Sequence, residues 1–293
     1  MHPLFDSKQE DMVPAALHPA SRLVRWRRLL AGAMVCFGAS LGATAWAQAP
    51  LIVAADAIPH AEILEQVGRV APDLNLKIIE IPNGVNPNAL LAGGDVQANF
   101  FQHVPYLRTQ EEALGQKFAV VATVHIEPLG IYSRRHTSLK HLPEGAVVAL
   151  PNNASNLSRA LFLLQDQGLL SLRPGLEDPA SGLATLADIA GNPRKLRISE
   201  VESPLLPRVL PDVDLAIING NYALEAGLKP ATDALALERV AGNPYANVLV
   251  TSQALAQDAR VARLAQVLES PQIATYIQDH YEGSVIPVHE ARP

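Results

Sequence analysis

Ala146-Val147-Val148-Ala149-Leu150 runs straight into Pro151-Asn152-Asn153-Ala154-Ser155-Asn156-Leu157-Ser158-Arg159. The first five residues are apolar and include two valines, which makes a short buried strand. The Asn and Ser side chains that follow can satisfy the free N–H groups at the start of a helix, expected over 155–165. A strand feeding a capped helix is the repeating unit of an α/β protein. The open end of such a helix also attracts a carboxylate, through its unpaired amides and its dipole. Arg159 falls on the same face as Ser155 and Asn156, where its guanidinium can add a two-pronged clamp to that carboxylate. Taken alone, Arg159 also reads as an ordinary surface arginine.

The alternation extends in both directions. Upstream, strands are expected at 51–55, 76–81, 96–99, 119–125 and 129–133, with helices at 59–70 and 88–92. Downstream, strands at 196–201, 215–218 and 247–251 precede two closing helices near 259–269 and 270–280. No internal repeat or low-complexity tract interrupts them. The character of the chain shifts twice. A polar run at 134–138 is followed by the turn Pro143-Glu144-Gly145, and Gly242-Asn243-Pro244 breaks the chain again. These breaks predict one lobe from 49–134 and 244–293 and a second from 135–243. Two crossings between lobes form a hinge, and the cleft between them is the expected ligand site.

The first 48 residues differ from the rest. Arg22, Arg25, Arg27 and Arg28 precede an apolar stretch at 29–42, and Ala45-Trp46-Ala47 supplies a small-x-small cleavage site. This is the pattern of a secretory signal peptide, predicting export to the periplasm with cleavage near Ala47 and no stable membrane insertion afterwards. The stretch before Arg22 is long and polar, so Met12 is an alternative start. The single cysteine, Cys36, both tryptophans and all three methionines lie in this leader. The mature chain therefore has no thiol and no disulfide, and Ala33-Met34-Val35-Cys36 is a poor lipid-attachment site.

Of 293 residues, 48% are hydrophobic, enough for a real core in about two domains. The net charge of −6 argues against gripping phosphate backbones, which sets nucleic acid aside. The mature chain carries no nucleotide-loop, zinc-protease or Cys-x-x-Cys pattern. A nucleophile-elbow match at 38–42 falls in the leader and is a chance product of small residues. The histidines lack metal-ligand spacing. Nothing here makes a positive case for an enzyme, a metal or a cofactor.

Three further segments suggest a binding cleft. Asn99-Phe100-Phe101-Gln102-His103 follows an expected strand and precedes a helix, where residues face the crevice of an open α/β sheet. Phe101 and His103 there either wall an apolar ligand group or form a core corner. Asn219-Gly220-Asn221-Tyr222 and Asn243-Pro244-Tyr245-Ala246-Asn247 place amides at strand ends, where they serve as turn formers or as ligand donors and acceptors. A cation, neutral amides and aromatic rings are what an amino-acid zwitterion requires.

These segments, in this order, resemble the methionine-binding NlpA/MetQ family of substrate-binding proteins of ABC transporters. The resemblance runs from Pro59-His60-Ala61-Glu62 through Phe101-Gln102-His103, Pro105-Tyr106-Leu107, Pro151-Asn152, Asn156, Arg159-Ala160-Leu161, Leu206-Pro207-Arg208 and Asn219 to Pro244-Tyr245 and the tail at 283–287. It implies a two-lobed periplasmic-binding-protein fold of class II, working as a monomer with an ABC permease and its ATPase. It further implies that Phe101 and His103 contact the ligand side chain, Asn156 and Arg159 its α-carboxylate, and Asn219 and Asn247 its amino-acid backbone. Two positions depart from the family pattern: Gly84 and Glu127 stand where aromatic rings are common. The loss of rings would enlarge the pocket or make it more polar, although Glu127 reads more readily as an exposed residue. A different ligand (a Met-containing dipeptide, a D-amino acid, a small organic acid) is the alternative within this class. A periplasmic enzyme or sensor on the same fold is the alternative outside it.

Overall fold

The computed structural model describes residues 49–82 and 84–288. The leader expected at 1–48, with its cleavage site, cysteine and nucleophile-elbow match, lies outside the described residues. The chain opens with β1 (Leu51–Ala55), α1 (Glu62–Val70), β2 (Leu76–Glu80), α2 (Pro87–Gly93), β3 (Ala98–His103), α3 (Val104–Leu114) and β4 (Phe118–Ile126). It continues with β5 (Gly130–Tyr132), β6 (Val147–Pro151), α4 (Ala154–Asp166), β7 (Ser171–Leu172), β8 (Ile189–Gly191), β9 (Arg197–Val201), α5 (Leu206–Val209), β10 (Leu215–Ile218), α6 (Gly220–Glu225), α7 (Pro230–Asp233) and β11 (Ala236–Leu237). It closes with β12 (Asn247–Ser252), α8 (Ala259–Leu268), α9 (Pro271–Tyr281) and β13 (Ile286–Pro287).

Two mixed sheets result. The first runs β2-β1-β3-β12-β4-β13 and the second β9-β6-β10-β5-β11. In the first, β1 lies parallel to β2 and β3, while β12 is antiparallel to β3 and β4. In the second, β6 lies parallel to β9 and β10, and β5 is antiparallel to β10 and β11. The sheets share one logic. Three parallel strands are followed by the strand that has just crossed from the other lobe, inserted antiparallel. This is the class II arrangement of a two-lobed binding protein.

Each sheet is buried on both faces, which is why its central strands read as unbroken apolar runs. In the first lobe Val53, Ile63, Leu64, Phe100, Leu264 and Ile277 pack on one face, and Leu91, Leu107 and Val250 on the other. In the second, Leu150, Leu161, Leu164 and Ile217 pack on one face, and Ala149, Ile218 and Tyr132 on the other. No helix among the described residues is long and apolar enough to cross a membrane.

Two expectations change. The strand at 129–133, assigned by sequence to the first lobe, is hydrogen-bonded into the second sheet as β5. The first crossing therefore lies at 127–129, not at 134–135; the second occupies 238–246. The crossings touch each other: Leu129 and Glu238 exchange backbone bonding through Glu238 N to Leu129 O at 3.0 Å, and Leu129 N donates to Glu238 Oε1 at 3.0 Å. The segment 99–103, expected after a strand, is the strand β3 itself. Its Asn99 and Gln102 look like loop residues but are buried in a closed amide network with Asn88, at 2.7–2.9 Å. Satisfied in this way, polar side chains can sit inside a sheet.

Candidate functional site

The carboxyl ends of the parallel strands of both sheets face one cavity of about 380 Å³, within the range of small-molecule sites. Asp56 follows β1, Ile81 follows β2, His103 ends β3, Asn152 follows β6, Glu202 follows β9 and Asn219 follows β10; all line it. Phe101, His103, Asn156, Arg159, Asn219 and Asn247, the six residues singled out from sequence, line this same cavity. So does Gly84, at φ +94 with open space where a Cβ would stand.

The amides are held in fixed directions. Asn153 caps α4 by accepting from Asn156 N at 3.0 Å, so that amide is already taken and does not await a ligand. Asn156 Oδ1 accepts from His103 Nε2 at 3.1 Å and from Asn219 Nδ2 at 3.0 Å. His103 Nδ1 in turn accepts from Tyr106 N at 3.1 Å, which fixes the neutral Nε2–H tautomer. Burial, then the Arg159 charge, push the His103 pKa down to about 3, in agreement with that tautomer. The consequence is directional. Asn156 Nδ2 has no partner among the described residues, and Asn219 Oδ1 is a buried acceptor with none. Asn247 Oδ1 lies 3.1 Å from His60 Nε2, which leaves Asn247 Nδ2 free in the same way.

Arg159 differs from the sequence reading. It is neither a surface residue nor an uncommitted clamp. At 3% exposure it binds Glu238 through Nε, at 2.9 Å to Oε2, and through Nη2 to Oε1. Nη2 also donates to the Glu127 carbonyl at 2.9 Å, and the guanidinium lies over the Tyr245 ring at 4.5 Å. Burial opposes its charge, but Glu238 outweighs burial and raises the Arg159 pKa. One side chain from α4 thus grips both crossings, and Nη1 is the edge left for a ligand.

Glu127 also departs from expectation. It is 5% exposed and lines the cavity. Its Oε1 accepts from His125 Nε2 at 2.8 Å and lies 3.2 Å from His60 Nε2. Burial pushes its carboxyl up, but His60, the hydrogen bond from His125 and the nearby Arg159 more than offset this and bring its pKa below the usual value. Burial likewise brings the His60 pKa down to about 4, so that ring is a neutral donor. Gly220 makes the approach possible: a Cβ there would stand 2.7 Å from Glu127 Cβ. Glycine is needed for close contact as well as for a turn.

His60, His125 and Glu127 offer ligand atoms within 4.8 Å of one another, a group that sequence spacing did not reveal. A metal-bound histidine normally donates its second N–H to an oriented acceptor. Here both Nδ1 atoms are buried without a partner, so the group fits a hydrogen-bonded carboxylate better than a metal centre.

Asp56 completes the wall. It accepts from Asn221 Nδ2 at 3.0 Å, a bond across the cleft. Burial, then Glu127 and Glu225, push its pKa up from 3.8 to about 7. A carboxyl raised in the folded state adds stability that is complete below pH 3.8 and lost as pH climbs through about 7. Asp56→Asn should therefore match the parent in stability at pH 4 and exceed it at pH 8, by about 1–2 kcal/mol after allowance for partial exposure, with a melting temperature that rises accordingly. Parallel melting curves that stay superimposed at both pH values would refute the assignment.

Two α/β lobes that turn their strand ends toward a shared polar cleft define a binding protein of the periplasmic type. The chain belongs to the NlpA lipoprotein family, whose model matches residues 51–289. It is 41% identical over 231 residues to the membrane lipoprotein TpN32 of Treponema pallidum (strain Nichols), covering 78% of this chain and 84% of that one. It is 36% identical over 267 residues to the methionine-binding lipoprotein MetQ of Bacillus subtilis (strain 168), covering 89% and 96%. Among solved structures, a nutrient binding protein from Burkholderia cenocepacia bound to methionine matches with a TM-score of 0.77 and 43% identity, over 81% of this chain and 99% of that chain.

Proposed function

We propose that this chain is the substrate-binding component of an ABC importer and that it carries methionine between its lobes to a membrane permease driven by an ATPase. The observation that carries the reading is the set of uncommitted polar atoms that line one cavity from both lobes. Asn156 Nδ2, Asn247 Nδ2 and Arg159 Nη1 are donors suited to a carboxylate, and the buried Asn219 Oδ1 is an acceptor suited to an ammonium. Phe101 and Tyr106, edge to face at 5.9 Å, and the neutral His103 ring provide an apolar wall for the thioether. Kinship with the methionine-bound Burkholderia cenocepacia protein and with MetQ of Bacillus subtilis supports the same ligand. TpN32 and MetQ are lipoproteins by name; a leader cut near Ala47 would leave this chain without a cysteine for a lipid, so we infer a free periplasmic carrier.

Titration calorimetry on protein stripped of co-purified ligand by unfolding and refolding tests the reading. L-methionine should bind and raise the melting temperature, because a ligand confined to the folded state stabilises it. Asn247→Ala removes a free donor together with the His60 contact, and affinity should fall about tenfold or more. Heat-free titrations across an amino-acid panel, D-methionine included, would end the proposal.

A further inference from the structure

Counting charge around the cavity gives an imbalance. Arg159 is a buried cation, but its two nearest anionic oxygens belong to Glu238, so that pair is already neutral. Glu127 adds a second buried carboxylate with no cation of its own. The two imidazoles that hold it reach only one of its oxygens. Each points Nε2 at Oε1, so each carries its proton there, and each has a buried Nδ1 with no acceptor in reach. The carboxylate thus meets no lysine or arginine side chain among the described residues, and Asp56 lines the same cavity.

The second oxygen of this carboxylate is the relevant one. Glu127 Oε1 takes both imidazole contacts, while Oε2 has no hydrogen-bond partner among the described residues. The cavity that Glu127 lines also holds the orphaned Asn219 Oδ1. Two free acceptors, one of them charged, belong to one cavity whose only cation is neutralised. A buried carboxylate in that position calls for a partner that brings both N–H donors and positive charge.

We propose that Glu127, with Asn219 beside it, receives the ligand's ammonium group, and that this chain selects ligands first by their amine and only second by their carboxylate. The proposal rests on the binding-protein reading and names which end of the zwitterion dominates. It inverts the weight that sequence placed on Arg159. An arginine already paired with Glu238 offers a ligand carboxylate one edge of a neutralised pair, whereas Glu127 offers an ammonium a carboxylate oxygen that no side chain among the described residues has taken.

Three ligands separate the ends. L-methionine carries both groups, L-methioninol keeps the amine without the carboxylate, and the α-hydroxy analogue of methionine keeps the carboxylate without the amine. Calorimetry at pH 7 on stripped wild-type protein should show methioninol weakened about tenfold relative to methionine, and the hydroxy acid weakened about a hundredfold or more. Glu127→Gln keeps the shape and should cost both amines about tenfold or more while leaving the hydroxy acid unchanged or improved. The wild-type comparison does not depend on how that variant folds. A hydroxy acid that binds as well as methioninol, or a glutamine variant that loses all three ligands equally, overturns the proposal while the methionine reading stands. Failure of methionine itself to bind the wild type overturns both.

Discussion

Arg159→Ala is expected to destabilise the ligand-free protein by about 3–5 kcal/mol, well beyond what a ligand contact alone would forfeit. The reason is what remains behind. Glu238 keeps one bond, from Leu129 N, and loses the guanidinium that neutralises it. The Glu127 carbonyl loses its donor, and the Tyr245 ring loses the cation stacked on it. Both crossings between the lobes are released by the same change. In a protein of this size the loss corresponds to a fall in Tm of about 10 °C. The double variant Arg159→Met/Glu238→Leu should recover most of it, since an apolar pair of similar volume replaces a desolvated ion pair at little cost. Urea unfolding of the three proteins at pH 7 measures the cycle. An alanine variant as stable as the parent would mean that the pair is solvated and that the hinge does not depend on it.

This outcome was not legible in the sequence. Glu238 sits 79 residues from Arg159, in a stretch, Leu237-Glu238-Arg239, whose composition reads as surface. The break near 135 falls after β5, within the second sheet's stretch of chain, but strand–helix alternation made the fold class visible. It could not place a three-residue strand such as β5, because the only punctuation before it is Pro128 and sheet membership is a long-range property. The same limit applied to β3, where buried Asn99 and Gln102 broke the expected apolar alternation. The asparagines that line the cavity were recognisable because Asn at strand ends has few physical uses. Their directions were not, since each depends on a partner far away in sequence, as Asn156 does on His103 of the facing lobe and on Asn219 of its own. Glu127 carried one overlooked signal. His125 and Glu127 are two apart in an extended segment, which puts both side chains on one face.

Phe100→Ala should cost about 3–5 kcal/mol of stability, the range for removing a buried phenylalanine, and should also weaken ligand binding about tenfold. Phe100 is fully buried in β3 and belongs to the core between the sheet and α1. Its ring also meets His60 edge-on at 4.9 Å and His125 at 5.4 Å. Those two imidazoles have no bond at Nδ1, so their tilt rests on the Nε2 contacts to Glu127 and Asn247 and on this one phenyl ring. A void in place of the ring lets them rotate and releases Glu127 Oε1 from its fixed direction. Leu161→Ala is the matched control: it empties the core of the other lobe at a cost of about 2–5 kcal/mol, without touching either histidine. Affinity should then fall for the phenylalanine variant and hold for the leucine variant, measured well below both melting temperatures. Equal affinities in the two would show that core packing and the anionic wall of the cleft are independent.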